Sequence, residues 1–169
     1  TFYLIYFSPY NLLQQTFTMF SQEIYNSWKS LQHEKYEYVI GRFPEFFKGT
    51  MLDLACGPGF LKAFIGEHKP GIEIIGVDTD NGDVMADGEK LPFADESFEK
   101  IICIDAIHLF RPDLRVLKKG GFLLASIFFN DGNYEEKKEM LYEKLGDLQI
   151  TNQLIFKGQE KEIFVLAKK

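Results

Sequence analysis

Two glycines and an acid lie where a nucleotide-like ligand could bind. Gly57 and Gly59 follow a short apolar run and precede a helical pattern, and Asp78 ends the next apolar run about twenty residues later. A ligand on a parallel sheet lies beyond the carboxyl ends of the strands, where the backbone must turn sharply and leave space, so glycine is favoured. A carboxylate after the second strand can accept both hydroxyls of an adenosyl ribose. The spacing therefore predicts an adenosyl-binding loop, with a solvent-exposed acid as the alternative for Asp78.

A dinucleotide fits this loop less well than an adenosyl group without phosphates. Dinucleotide loops follow the pattern G-x-G-x-x-G, in which the third glycine permits close packing of helix on strand. Lys62 occupies that third position. The phosphate-binding pattern G-x-x-x-x-G-K-[ST] is also missing from the sequence.

The elements that carry this loop alternate between strands and helices, which indicates an α/β fold. Short apolar runs predict strands over residues 50–55, 72–77, 84–86, 100–104, 122–129, 150–156 and 162–167, and helical spacing predicts helices over 60–68 and 134–148. A short helical piece is expected to end at 117–121. We predict a Rossmann-like, mostly parallel sheet with helices on both faces and a C-terminal antiparallel hairpin.

Residues 1–49 precede this alternation and are predicted to form an N-terminal helical cap. Two helices are expected, over 12–28 and 33–47, the second with apolar residues at Tyr36, Val39 and Ile40. We expect one domain over residues 1–169, divided into the cap and a cofactor-binding core over 50–169.

Four segments in this order resemble the class I S-adenosylmethionine-dependent methyltransferases. They are residues 51–59 around the glycine loop, 74–78 ending in Asp78, the run 86–98 with Ala-Asp-Gly-Glu-Lys-Leu-Pro-Phe at its start, and 115–123 before the fifth strand. The third segment is similar to the adenine loop of the small-molecule branch that includes ubiquinone-biosynthesis methyltransferases. The resemblance covers roughly residues 50–130. It implies S-adenosylmethionine as the cofactor and transfer of its methyl group.

The resemblance also implies roles for individual residues. Gly57 and Gly59 would let the methionine part of the cofactor lie against the backbone, and Asp53 would hold its amino end. The ribose would bind Asp78 and the adenine Asp87 and Gly88, while Ile104 would lie near the sulfonium. The complete implied cofactor site comprises Asp53, Ala55, Cys56, Gly57, Gly59, Asp78, Thr79, Asp87, Gly88 and Ile104.

Methyl transfer from a sulfonium is an in-line displacement, so the enzyme needs no nucleophile of its own. Positioning the reactants can supply about 7–11 kcal/mol of barrier reduction, and a base is needed only if the acceptor must lose a proton. His108 is the candidate base, with packing against Leu109 and Phe110 as the alternative. Tyr25 and Trp28 are expected to cover the substrate, unless these rings only pack the helices onto the sheet. No metal-ligand spacing is present, so a metal is not expected.

The acceptor is expected to be a small molecule. The chain lacks the Asn/Asp-Pro-Pro-aromatic motif that base-modifying amino-methyltransferases usually carry after strand four. Its net charge of −6 makes nucleic acid an improbable partner. An RNA or protein acceptor, or a cofactor-binding scaffold without activity, stay open. With only two cysteines, the chain cannot build a disulfide framework, which favours a cytoplasmic protein. The apolar run Phe2–Phe7 is too short for a membrane span, so a membrane partner is not expected.

Two connections are shorter than the resemblance requires. Only residues 79–83 separate the second and third predicted strands, whereas a parallel crossover needs about a dozen residues. The helix before Arg115 is short as well. We expect segments of the family to be missing from this chain near 79–83 and near 110–114. The alternative for the first is a hairpin at Asn81-Gly82, which would reverse the third strand.

Overall fold

The structure, a computed structural model, describes the backbone of residues 22–169 and the side chains of residues 27–169. Helices α1, α2 and α3 span Gln22–Arg42, Phe60–His68 and Tyr134–Leu145. Strands β1 to β7 span Thr50–Leu54, Glu73–Asp78, Val84–Met85, Phe98–Cys103, Leu117–Phe129, Gln149–Lys157 and Lys161–Lys168.

The seven strands form one sheet in the order β3-β2-β1-β4-β5-β7-β6. The first five pair in parallel, and β7 pairs antiparallel with both β5 and β6. One face is covered by α1 and α2 through residues such as Val39 and Phe64, and the other by α3 through Leu141 and Leu145. The predicted fold class is therefore confirmed, including helices on both faces and the C-terminal hairpin.

Helix α1 is continuous where the sequence pattern predicts two helices. The expected break between residues 28 and 33 is wrong, because that stretch contains neither glycine nor proline to interrupt the helix. The helix buries Tyr36, Val39 and Ile40, which lie three to four residues apart on one face. Most of the predicted helix over 12–28 lies outside the described residues.

The third strand is parallel to the second, which excludes the alternative of a hairpin at Asn81-Gly82. Val77 pairs with Val84 in parallel register. The chain turns back through residues 79–83, where the Asp83 amide donates to the Gly76 carbonyl at 2.9 Å and the Asp83 carboxylate accepts the Gly76 amide at 2.8 Å. Gly82, at φ +123°, allows this close return. The five residues of the loop thus connect parallel strands without a crossover helix.

Strand β5 begins earlier than predicted. The helical piece expected before residue 121 is only a 3-10 turn over Leu114–Val116, and residues 118–121 already belong to the strand. Four β5 residues there oppose the single residue Glu99 of β4, which forms a bulge. A Cβ on Gly121 would lie 2.8 Å from the Glu99 carbonyl oxygen, which explains the glycine.

None of the helices in the described part of the chain combines the length and the apolar composition that a membrane span needs.

Candidate active site

The glycine loop leaves β1 through alternate left-handed residues. Ala55, Gly57 and Gly59 have φ values of +59°, +51° and +80°. The amide of Cys56, between them, donates to the Val77 carbonyl at 3.0 Å, which keeps the loop against the end of β2. The Gly59 carbonyl then accepts the first helical hydrogen bond of α2, from Ala63 at 3.0 Å. The backbone therefore turns within five residues from strand to helix, as predicted.

Asp78 lies at the end of β2 and faces this loop. One oxygen of its carboxylate accepts the Gly57 amide at 3.0 Å, and the other accepts the Asp80 amide at 3.1 Å. Thr79 follows with its hydroxyl donating to the Asp80 carboxylate at 2.9 Å. Asp78 is thus held beside the glycine loop by two backbone donors.

Asp53 is buried on the α1 and α2 side of the sheet, two residues before the loop. It pairs in register with Gly76 on one side and Ile102 on the other. Burial, followed by the charges of Asp78 and Asp83, raises the pKa of Asp53 to about 8. Among the described residues no group donates a hydrogen bond to its carboxylate. A cationic group of a ligand would stabilise the ionised form of such a carboxyl.

The segment with Asp87 and Gly88 forms a tight turn at the same edge of the sheet. The Asp87 carboxylate accepts the Glu89 amide at 2.9 Å, and the Gly88 carbonyl accepts the Asp113 amide at 2.9 Å. The ring of Phe110 lies so close to Gly88 that a Cβ there would be 2.6 Å from Cε2. Gly88 is therefore required for this contact between the turn and the segment after β4.

Arg115 fixes this turn, a role that the sequence reasoning missed. Its guanidinium donates to the carbonyls of Leu91 and Phe93 at 3.1 and 2.9 Å and pairs with Asp95 and Asp113. Arg115 and Asp95 both lie in the segments that carry the resemblance, so the pairing of their opposite charges was a readable signal.

A second set of polar residues lies after β4, and the sequence reasoning missed it too. Ile104 is buried, and Asp105 follows it with a left-handed φ of +60°. The Asp105 carboxylate is bound by the fully buried Lys35 of α1, which also lies 2.8 Å from the fully buried Glu162 of β7. Lys35 gave a readable anomaly, because it lies four residues before Val39 on the predicted apolar helix face, whereas Glu162 follows two charged residues and gave none.

His108 lies on the 3-10 turn Ile107–Leu109, which packs against α3. Burial, followed by the positive charge of Lys137, lowers the pKa of His108. Its Nδ1 is buried and has no hydrogen-bond partner among the described residues. The histidine is therefore neutral at neutral pH.

The remaining candidates are two aromatic residues of α1 and a cysteine of the glycine loop. Trp28 is half-buried on α1, whereas the side chain of Tyr25 lies outside the described residues. Burial raises the pKa of the Cys56 thiol to about 12, so this thiol is not a nucleophile at neutral pH. Residues 27–169 contain no group of three His, Cys, Asp or Glu side chains placed to hold a metal ion.

Comparison with known proteins connects this geometry to a family. Residues 52–125 match the sequence profile of the methyltransferase domain. A comparison with curated proteins gives no significant match.

Solved structures with the same fold share little sequence. A protein from Pyrococcus horikoshii is 21% identical with a TM-score of 0.65, over 88% of this chain and 92% of its own. A SAM-dependent methyltransferase from Aquifex aeolicus is 15% identical with a TM-score of 0.56, over 75% and 87%. The 1,6-didemethyltoxoflavin-N1-methyltransferase from Burkholderia thailandensis, solved with its substrate and S-adenosylhomocysteine, is 14% identical with a TM-score of 0.66, over 94% and 88%.

Proposed function

We propose that the chain is an S-adenosylmethionine-dependent methyltransferase that transfers the methyl group to a small-molecule acceptor, which the profile match of residues 52–125 and the shared fold support. A lone pair of the acceptor attacks the methyl carbon, the carbon–sulfur bond breaks, and its electron pair stays on sulfur as S-adenosylhomocysteine. The observation that carries the proposal is the cover over the end of β4. Lys35 and Gln32 of α1 both bind Asp105, whose side chain is only 13% exposed. Such a covered site suits a small molecule better than a folded macromolecule.

We assign the cofactor to the carboxyl edge of β1 and β2. Gly57 and Gly59, with Ala55 and Cys56 between β1 and α2, would lie along its methionine part, and Asp53 would bind its ammonium group. The ribose would bind Asp78 next to Thr79, the adenine would bind Asp87 and Gly88, and Ile104 would contact the sulfonium region. The two backbone donors on Asp78 and the free carboxyl of Asp53 support this placement.

In this proposal, residues of the N-terminal cap and of the segment after β4 contact the acceptor. Tyr25 and Trp28 would cover the acceptor as part of a single domain with residues 1–49 as the cap. His108 would take a proton from acceptors that carry one, which its neutral state at neutral pH supports. The small-molecule branch is further supported by the toxoflavin enzyme, because that fold accommodates a small heterocycle.

Incubation with methyl-labelled cofactor and fractionated cell extract tests this proposal. We expect label in the metabolite fraction. Label in RNA or protein would show a macromolecular acceptor instead. Binding of S-adenosylhomocysteine by calorimetry without transfer to any fraction would favour a scaffold.

A further inference from the structure

A buried charge cluster joins α1 to the carboxyl ends of β4 and β5. We define this charge cluster as Gln32 and Lys35 of α1, Asp105 after β4, Ser126 of β5, and Glu160 and Glu162 at the start of β7. Lys35 and Glu162 are both 0% exposed. Burying such groups costs several kcal/mol per ion before pairing. Apolar residues would hold α1 on the sheet without this cost, so the cluster calls for an explanation beyond packing.

Apart from the second N–H of the Gln32 amide, the donors of the cluster are paired with its own acceptors. The Lys35 ammonium has three N–H groups, and it binds Asp105, Glu160 at 2.7 Å and Glu162 at 2.8 Å. The Gln32 amide donates to the Asp105 carboxylate at 3.3 Å. The Ser126 hydroxyl donates to Glu162 and accepts the Asp105 backbone amide at 3.2 Å.

Three acceptors of the cluster are buried and have no hydrogen-bond partner among the described residues: Oδ1 of Asp105, Oε1 of Gln32 and Oε2 of Glu162. The last of these still lies 2.8 Å from the Lys35 ammonium, so it is ion-paired, whereas the first two lack any partner in the described part of the chain. Leaving a buried acceptor unpaired destabilises the folded chain. Three carboxylates also face a single ammonium, so the cluster carries an excess of negative charge. What the cluster lacks is N–H donors and positive charge.

Besides burial, the excess of negative charge contributes to a raised pKa of Glu162. Burial, followed by the charge of Asp105, raises the pKa of Glu162 to about 8, against the opposing effect of Lys35. Burial alone would lower the pKa of Lys35, but the carboxylates of Glu162, Asp105 and Glu160 outweigh it and raise that pKa, so Lys35 stays protonated. Even with Glu162 neutral, the two ionised carboxylates outnumber the ammonium.

The position of the cluster separates it from the cofactor side. In the sheet, β1 lies between β2 and β4. Asp78 follows β2, the glycine loop follows β1, and Asp105 follows β4, so Asp78 and Asp105 flank the loop on opposite sides. With the ribose at Asp78, Asp105 lies on the side left for the acceptor.

We propose that Asp105, with Gln32 beside it, binds an amine group of the methyl acceptor, whose N–H donors fill the two unpaired oxygens. The substrate class is thus an amine rather than a carboxylic acid or a plain alcohol. Lys35 acts as a positioning residue that holds Asp105 from α1. This inference rests on the proposed function, because it assumes that a small molecule receives the methyl group.

The test compares probes of one skeleton that differ in a single group. Phenethylamine, 2-phenylethanol and phenylacetate, and the matching butyl series, are titrated into the chain loaded with S-adenosylhomocysteine and are then assayed with methyl-labelled cofactor. We expect an amine to bind at least tenfold more tightly than the alcohol of the same skeleton and the carboxylate not to bind. Equal or tighter binding of the alcohols, or no binding of either amine, would overturn the inference.

Variants assign the preference to the cluster. Asp105→Asn keeps the size and tolerates the left-handed backbone, and it should lower the amine-to-alcohol affinity ratio on the order of tenfold to a hundredfold. Glu160→Gln removes a carboxylate from the same lysine but not the unpaired oxygen, so its ratio should stay within about threefold of the unmodified chain. Gln32→Leu, which removes no charge, should lower the ratio less than Asp105→Asn and serves if that variant does not fold.

The outcomes separate the two proposals. A ratio that Asp105→Asn and Gln32→Leu leave unchanged would show that the cluster only anchors α1. Failure of the unmodified chain to bind S-adenosylhomocysteine, or label appearing only in RNA or protein, would instead contradict the proposed function.

Discussion

The backbone amide of Gly57 donates a hydrogen bond of 3.0 Å to the carboxylate of Asp78, 21 residues further along the chain. This bond joins the turn after β1 to the end of β2. It also leaves Asp78 with a second oxygen bound to the Asp80 amide at 3.1 Å. The acid is therefore oriented before any ligand arrives, which would lower the entropic cost of the ribose binding that we propose.

Replacing Asp78 tests the ribose assignment. Asp78→Ala should weaken S-adenosylhomocysteine binding by about 1.5–3 kcal/mol, the value of hydrogen bonds to a charged group, measured by calorimetry. Asp80→Ala is the matched control, since it removes an exposed neighbouring acid and keeps the backbone amide. Equal dissociation constants for the two variants would contradict the assignment.

Replacing Gly57 tests whether the loop contacts the cofactor. Gly57 has φ +51°, and Gly49, at the opposite edge of the sheet, has φ +68° with nothing within 4 Å of an added Cβ. Alanine at either position should cost about 1 kcal/mol of stability through the left-handed backbone. Only Gly57→Ala should also weaken S-adenosylhomocysteine binding, by at least about tenfold. Unweakened binding would mean that the loop is merely a turn.

Cofactor binding should depend on pH through Asp53. The free protein holds this carboxyl protonated up to about pH 8, whereas the bound ammonium favours the ionised form. Binding should therefore release up to about one proton near pH 7, and affinity should rise from pH 6 to 8. Calorimetry in two buffers of different ionisation enthalpy measures this release.

Variants distinguish the proton released from Asp53 from one released by Glu162, the other carboxyl whose pKa is raised to about 8. Asp53→Asn should abolish the proton release, whereas Glu162→Gln should keep it, although Glu162 titrates in the same range. In the free protein both acids bind more protons folded than unfolded, so stability falls as pH rises from about 4 to 8. Asp53→Asn should flatten that fall. Release that survives in Asp53→Asn would assign the proton elsewhere.

The alternation of strands and helices and the position of the glycine loop could be predicted because each depends on local pattern. Gly57 follows one buried strand and Asp78 ends another, and a parallel sheet brings such ends together. The short connection to β3 could not be predicted, because it depends on the Asp83 carboxylate accepting the Gly76 amide, seven residues back. This contact is formed instead of the alternative hairpin at Asn81-Gly82.

The charge cluster was missed for a different reason. Lys35 and Glu162 each have charged neighbours in the sequence, and their pairing joins segments 127 positions apart. A single sequence contains no signal for such a contact. The sequence did contain an anomaly, namely a charged residue at a position that the helix pattern assigns to the core.

The packing of α1 on α2 should weaken in acid because of His33. Its ring lies 4.8 Å from that of Phe64 and 6.5 Å from that of His68, and its Nε2 is buried without a hydrogen-bond partner among the described residues. Burial and then the charge of Lys29 lower the pKa of His33, against smaller opposing effects of Glu67 and Glu37. The unfolded chain therefore binds the proton more readily, and this contribution to stability is lost as pH falls below about 6.5.

His33→Phe keeps an aromatic ring against Phe64 and removes the proton site. Its melting temperature should exceed that of the unmodified chain by a margin that grows between pH 7 and pH 5. His68→Phe, a change of an exposed ring stacked on the same Phe64 at 4.2 Å, is the matched control and should leave most of the pH dependence, since the charge of His68 is only a smaller cause of the lowered pKa of His33. Calorimetric melting at several pH values measures both variants. Parallel pH profiles for His33→Phe and the unmodified chain would show that another group causes the loss of stability in acid, with His108, whose pKa is also lowered by burial, the next to replace.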